Sequence, residues 1–151
     1  MGTWAGHWHG YGPWTGPSDA LKQEEFRRPG NDATEAGRTQ TQAFIRGSMP
    51  PVMTGWALMR RPGANRTWTN VADALAWLEA TYQTHPRVNA PADALAVKLG
   101  YAADFLGRGS DDVWAYYVPG YSFVSFEVIC CPNLFHPKLA CPRPPAMSAP
   151  G

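Results

Sequence analysis

Two stretches in the middle of the chain carry apolar side chains at the spacing of one helix face. The first set is Val71, Leu75, Leu78 and Tyr82, and the second is Leu95, Leu99, Ala102 and Leu106. A helix over 70–85 is favoured because Asn70 is a good N-cap residue and the proline at 86 stops the helix. A second helix is expected to begin at Pro91 and to end at Gly107. Together they predict an α-hairpin with an apolar face.

A period of two, typical of strands, occurs before these helices. Residues 39–45 alternate β-branched or small side chains with glutamines and Phe44, and residues 52–59 follow a turn rich in glycine and proline. These two segments predict a first β-hairpin. A helix over 34–46 is the alternative for the first segment, because glutamine, alanine and arginine all tolerate the helical conformation.

The most apolar strand pattern lies near the C-terminus. Residues 113–118 and 121–129 are dense in aromatic and β-branched side chains and are joined by a Pro-Gly turn, so they predict a second hairpin. The second of these strands has apolar groups on both faces, which indicates a central position in the sheet. Glu127 interrupts it. A carboxylate there either has a partner, or has a raised pKa and is a catalytic candidate, or faces solvent at a strand end.

These elements together predict an α+β fold. We expect a small, mainly antiparallel sheet made from two hairpins, with the α-hairpin packed on one face. Residues 18–141 are expected to form a single domain, with an aromatic, glycine-rich arm before it (1–17) and a proline-rich tail after it (142–151). Residues 18–28 are expected to form a short surface helix capped by Ser18.

Composition narrows the classes of partner. The chain has 151 residues and a formal net charge of +1, and its basic residues form no cluster suited to nucleic acid. No apolar run approaches the length of a bilayer span, and the N-terminus lacks a secretory pattern, so we expect a soluble, cytoplasmic protein. The three cysteines are an odd number and two are adjacent, which argues against a disulfide framework.

The N-terminal arm interleaves aromatic residues with glycines and carries two histidines. If its backbone is extended, His7 and His9 project from the same side, because alternate residues of a strand share a face. They could then share a metal or flank a ligand. The alternative is that both only cap polar ends of a packed aromatic arm. The aromatic rings are expected to dock in a groove on this domain or on a neighbouring one.

The strongest candidate for chemistry is the segment of twelve residues that ends at Cys141. It contains every cysteine of the chain and one histidine, and thiolate and imidazole groups are the usual ligands of zinc. The predicted zinc ligands are Cys130, Cys131, His136 and Cys141. The alternatives to Cys130 as fourth ligand are His7, His9 and His85. A fourth protein ligand would make the site structural, whereas a water in that position would leave it open for catalysis.

Three of these residues have the spacing Cys131-x4-His136-x4-Cys141, which resembles the last three ligands of a retroviral-type zinc knuckle. The resemblance covers about a dozen residues and implies metal binding by these three side chains. Val128 stands where the knuckle has its first cysteine, so the resemblance does not extend to the knuckle fold or to nucleic-acid binding. The Cys-Pro pairs at 131 and 141 also resemble haem-regulatory motifs, which we rank below zinc.

The sequence contains no phosphate-binding glycine loop, no His-Glu-x-x-His motif and no nucleophile elbow. The leading hypothesis is a non-catalytic binding or assembly protein that engages a protein partner or a second copy of itself. We do not expect nucleic acid or a membrane as partners. The sequence leaves open whether the protein binds a small-molecule ligand. The alternative is a small metal- or histidine-dependent enzyme that acts on an organic substrate in an aromatic-lined cleft, with a cysteine activated by His136 as one arrangement.

Overall fold

The computed structural model describes residues 4–145, which form an α+β fold around one antiparallel sheet. The strands are β1 (His7–Gly16), β2 (Thr67–Trp68), β3 (Asp112–Tyr117) and β4 (Phe123–Cys131). The α-helices are α1 (Glu35–Arg46), α2 (Val71–Thr84) and α3 (Ala94–Gly107). Short 3-10 helices span Ser18–Lys22, Glu24–Phe26, Thr54–Met59 and Ala64–Arg66. The predicted fold class is therefore confirmed. The outermost parts of the predicted arm and tail, 1–3 and 146–151, lie outside the described residues.

The strand order in the sheet is β2-β1-β4-β3, so β4 has a long neighbour on each side. Every residue of β4 from Val124 to Cys131 is buried, which confirms the prediction of a central strand. β3 and β4 form the second predicted hairpin, with Trp114 opposite Phe126. The other neighbour of β4 is β1, which pairs with it from end to end.

The predicted α-hairpin forms from α2 and α3 and packs on one face of the sheet. The Asn70 side chain caps α2, because its carbonyl oxygen accepts a hydrogen bond from the Ala72 N–H at 2.8 Å. α3 begins at Ala94, after a turn that follows Pro91. The main core between these helices and the sheet includes Trp8, Leu78, Leu106, Trp114, Phe126, Val128 and Cys130. Within residues 4–145, none of the helices combines the length and the apolar character that crossing a membrane requires.

The first predicted hairpin is wrong, because residues 39–45 belong to α1. The helical alternative forms instead, with Thr34 as its N-cap and the Gly37 N–H donating to Thr34 Oγ1 at 2.9 Å. Its buried residues, Gly37, Thr41 and Phe44, have helical spacing. Of the β-branched or small side chains that alternate in this segment, only Thr41 is buried, whereas the buried face follows the helical period and the helix begins at its Thr34 cap.

The second strand of that predicted hairpin is also wrong. Once residues 39–45 are helical, the predicted partner of residues 52–59 is lost, and the backbone groups of this segment pair locally in the 3-10 helix Thr54–Met59. Two of its three buried residues, Ala57 and Leu58, cover the face of the sheet opposite to α2 and α3. The single helix predicted over 18–28 is replaced by two short 3-10 helices, and Ser18 is the first residue of one of them rather than its cap.

The predicted N-terminal arm contributes β1, an interior strand of the sheet. Trp8 is buried in the main core, where its indole N–H donates to the Leu106 carbonyl at 3.1 Å. A side chain at Gly10 would come within 2.7 Å of the Trp68 ring. The glycines that suggested a flexible arm therefore include one that makes room for a tryptophan against the sheet.

Candidate metal centre

β1 and β4 bring two histidines and a cysteine onto one face of the sheet. His7 lies opposite Cys131, and His9 lies opposite Ile129, across the antiparallel pair. Because alternate residues of a strand share a face, His7, His9 and Cys131 project together from the side opposite to α2 and α3. The expectation that the two histidines share a side is confirmed.

The loop after β4 returns Cys141 to the same face. The Asn133 side-chain amide donates to both carboxylate oxygens of Asp111, at 3.0 and 2.9 Å. Its carbonyl oxygen accepts two backbone N–H groups of the loop, each at 3.1 Å. Leu139 then packs on the small apolar cluster under the 3-10 helix Thr54–Met59. These contacts fix both halves of the loop and leave Cys141 beside the histidines.

The four side chains form a compact group of possible ligands. One ligand atom from each of His7, His9, Cys131 and Cys141 lies within 4.8 Å of all the others. Cys141 Sγ lies 3.1 Å from His7 Nε2 and 3.5 Å from His9 Nε2. In a tetrahedral zinc site with two nitrogen and two sulfur ligands, the ligand atoms are about 3.3 to 3.8 Å apart. The group thus has the donor set and nearly the spacing that a tetrahedral ion requires.

Thr67 orients one of the two imidazole rings. His9 Nδ1 lies 3.0 Å from Thr67 Oγ1, and this hydroxyl donates to the Gly63 carbonyl at 3.3 Å. Because the Thr67 hydroxyl donates its proton to the Gly63 carbonyl, the Thr67 oxygen accepts the hydrogen bond from the N–H at His9 Nδ1. The lone pair of the His9 ring is therefore on Nε2, which faces the cysteines. Partners of this kind are usual behind metal-binding histidines, because they fix the tautomer and the ring orientation.

Burial sets the protonation of these side chains. It lowers the pKa of His9 to about 4, with further lowering from His7 and then Arg143. Burial also lowers the pKa of His7. Burial raises the pKa of the Cys131 thiol to about 12, and the hydrogen bond and charge of Cys141 add to this effect. Both imidazoles therefore offer a neutral lone pair at pH 7, and a metal that binds thiolate here must displace thiol protons.

The structure brings together two of the four residues predicted as ligands. Cys131 and Cys141 belong to the group, and His7 and His9, which were alternatives for the fourth ligand, complete it. Cys130 lies in the main core on the opposite face of the sheet. Adjacent residues of a strand point to opposite faces, so Cys130 and Cys131 do not converge on one ion.

His136 and His85 lie outside the group. The His136 ring packs near Trp56, with ring centroids 6.4 Å apart, and fills the space over Gly55. His85 ends α2, where its carbonyl accepts the Tyr116 hydroxyl at 2.6 Å. Two of the three residues with the knuckle-like spacing, Cys131 and Cys141, thus belong to the group. The third, His136, packs near Trp56 instead. The pairing of β1 with β4, which adds His7 and His9 to the group, has no signal in the spacing of residues along the chain.

Comparisons of this chain with protein-family models, with curated proteins and with solved structures find no match. The chemistry of its sites is therefore what bears on its function.

Proposed function

We propose that this chain is a non-catalytic binding or assembly protein whose C-terminal loop is held to the sheet by one structural zinc ion. The observation that carries the proposal is the convergence of His7, His9, Cys131 and Cys141. Two imidazole and two thiolate ligands at close to tetrahedral spacing favour zinc over magnesium or calcium, which prefer oxygen ligands.

A structural role is favoured over a catalytic one by the number of ligands. Structural zinc sites are closed by four protein ligands, whereas catalytic sites keep one position for water or substrate. Here four protein side chains meet, and two of them, His9 and Cys131, are buried. The ion would join residues of β1, the end of β4 and the loop, which are far apart in sequence, and this is where a cross-link stabilises a fold most.

The zinc-held loop presents apolar side chains at the surface. Phe135 and Leu134 are 76% and 54% exposed. Phe135 lines an open cavity of about 560 Å³ whose apolar lining also includes Met53, Phe105 and Val113. Exposed aromatic and aliphatic groups next to a concave surface are typical of protein-binding sites. We propose that this surface binds a second copy of the chain, in the cytoplasm, where the three free thiols stay reduced.

Metal analysis tests the zinc proposal directly. Protein purified under reducing conditions should contain about one equivalent of zinc, measured by inductively coupled plasma mass spectrometry. Cobalt exchanged into the site should give the visible spectrum of a tetrahedral thiolate complex. The Cys141→Ser variant should lose both signals, while His136→Ala should keep them. A folded, stable wild-type protein without metal would rule out the structural zinc.

Solution mass tests the assembly proposal. Sedimentation velocity should show a concentration-dependent dimer of the wild type, and Phe135→Ser should shift it toward monomer, because it removes the most exposed apolar group of the loop. The matched control is Phe26→Ser, which removes an exposed phenylalanine from the 3-10 helix Glu24–Phe26 and should leave the mass unchanged. A wild type that stays monomeric at high concentration contradicts self-association.

A further inference from the structure

A second cavity lies on the same face of the sheet as the candidate metal centre. It measures about 420 Å³, and β1, β4, the end of α1 and the segment that holds Arg60 and Arg61 line it. Glu127 on β4 lies in its wall, four residues before Cys131, which corresponds to about 13 Å along a strand. Ile129 separates the two along the strand, so the cavity is distinct from the metal centre.

A β-bulge in β1 shapes this cavity. Tyr11 pairs with Glu127 and Trp14 with Ser125, so three steps along β1 match two steps along β4. The extra residue places Tyr11 and Trp14 on one face of the sheet, although their spacing in a regular strand would separate them. Gly12 makes the bulge possible with a φ of 91°. Both aromatic side chains line the cavity as a result.

Arg60 is held rigidly at the cavity. Its Nε donates to the Phe44 carbonyl at 2.8 Å and its Nη1 to the Met49 carbonyl at 2.6 Å, and its guanidinium lies 4.2 Å from the centre of the Phe44 ring. Its Nη2 is buried and has no hydrogen-bond partner among the described residues. A side chain on Gly47, which also lines the cavity, would come within 3.7 Å of Nη2. Arg60 thus lines the cavity with an unsatisfied donor that lies close to Gly47, another residue of the lining.

Glu127 is a second polar residue of this cavity for which the structure shows no hydrogen bond in the part of the chain that it describes. Its side chain is 5% exposed and makes no hydrogen bond or ion pair within 4.0 Å with the residues that the structure describes. Burial raises its pKa to about 8, against the opposing charges of Arg60 and Arg27, while Asp111 raises it further. Tyr11 faces it from β1, and its hydroxyl donates to the Arg60 carbonyl. Below pH 8 the protonated carboxyl is thus a hydrogen-bond donor.

The remaining charges around the cavity are positive. Arg46, Arg61 and Arg66 line it together with Arg60, and Glu127 is the only carboxyl that residues 4–145 contribute to the lining. Arg66 also donates to the Gly12 carbonyl, which ties it to the bulge. Guanidinium groups bind the oxygens of carboxylate and phosphate well, because their N–H groups match the geometry of these anions. A volume of this size fits a small organic molecule.

We propose that this cavity binds a small organic anion, whose carboxylate or phosphate group accepts hydrogen bonds from Arg60 Nη2 and the Glu127 carboxyl while its remaining atoms pack against Trp14. The fixed guanidinium reduces the entropy lost on binding. The exposed arginines of the rim, Arg46 and Arg61, attract the anion and contact it less. The site goes beyond the proposed assembly function and does not depend on zinc.

Titration calorimetry with citrate and with phenyl phosphate at low salt and mildly acidic pH tests the proposal. We expect saturable binding of at least one probe, and the stronger probe identifies the anionic group. Arg60→Lys should weaken binding at least about 10-fold, because lysine cannot reproduce the three donor positions of the guanidinium. Arg61→Ala should weaken it about 2- to 5-fold, as expected for an exposed charge. Arg38→Ala, which removes an exposed arginine of α1 outside the cavity, should change it less.

Two further measurements keep the test independent of folding and of zinc. Ser48→Trp fills the mouth of the cavity from an exposed position and should abolish binding, even if Arg60→Lys perturbs α1. Wild-type binding should fall above pH 8, whereas Glu127→Gln should bind with less pH dependence, because an amide keeps its donor. The zinc content of every sample is measured alongside, so a failed zinc site is recognised separately. Absence of saturable binding by both probes, or binding that Ser48→Trp leaves intact, overturns the proposal.

Discussion

Removal of zinc should lower the free energy of unfolding by about 4 kcal/mol when free zinc exceeds its dissociation constant about 1,000-fold. For a chain of 151 residues this corresponds to a fall in Tm of roughly 8 to 16 °C. The physical reason is that the proposed zinc ion would bind the assembled group and would have no preformed site in the unfolded chain. Differential scanning calorimetry of the zinc-loaded and chelated protein, both under reducing conditions, measures the difference.

Variants of the candidate ligands show which residues are responsible for the change in Tm with zinc. Cys141→Ser should give a protein whose Tm no longer responds to zinc, because the half-exposed Cys141 contributes little packing and its main loss is the ligand. His136→Ala and Cys130→Ala should keep the response, although Cys130→Ala is expected to cost about 1 kcal/mol of packing in the main core. If His136→Ala abolished the zinc response and the two histidines of β1 were dispensable, the proposed ligand set would be wrong.

Glu127→Gln should stabilise the protein increasingly as pH rises from about 4.5 to about 8, by up to about 5 kcal/mol. In the folded state the Glu127 carboxyl keeps its proton up to pH 8, whereas the unfolded chain releases it near pH 4.5. The folded state binds more protons in this interval, so the stability of the wild type falls with pH. Arg60 and Arg27 oppose the effect of burial, and Asp111 adds to it. Glutamine has a similar shape and no charge, so it removes this pH dependence.

Urea unfolding of both proteins at matched zinc content, from pH 5 to pH 9, measures this difference. The matched control is Glu79→Gln on the exposed face of α2, which is expected to change stability by no more than about 0.5 kcal/mol at each pH. Equal unfolding free energies of wild type and Glu127→Gln at pH 9 would contradict a buried, unpartnered carboxyl at this position.

The predictions that held depend on local patterns. α2 repeats one apolar face and begins at the capping residue Asn70, and β4 is apolar on both faces, so each could be assigned from a short window of sequence. α1 shows where such a window fails. Residues 39–45 fit both a period of two and a helix face, and the Thr34 cap that decides between them lies outside the window. β1 was missed as a strand because Gly10 and Gly12 suggested flexibility, although the alternation of His7, Trp8 and His9 was a usable signal.

Two of the four residues of the candidate metal group could be predicted from the sequence, for a related reason. The sequence alone points to Cys131 and Cys141 of the candidate group, because both lie in one segment rich in cysteine, and a dense set of cysteine and histidine residues indicates zinc. Cys130 and His136 were chosen from sequence proximity, but the strand turns Cys130 to the other face and Trp56 packs near His136. The arginine-lined cavity was not anticipated at all. Its parts come from a bulge, a helix end and a central strand, and no motif links them.

By itself, the sequence determined the α+β class, the α-hairpin, the buried central strand and the type of chemistry available, since these follow from side-chain period and residue type. Only the tertiary structure decided which residues meet. The register of β1 against β4 brings His7 and His9 into the candidate metal group and sets Tyr11 opposite Glu127, and the bulge places Trp14 on the same face as Tyr11. The physical reason is that a ligand group is defined by distances of a few ångströms between residues more than a hundred positions apart, and strand pairing sets those distances.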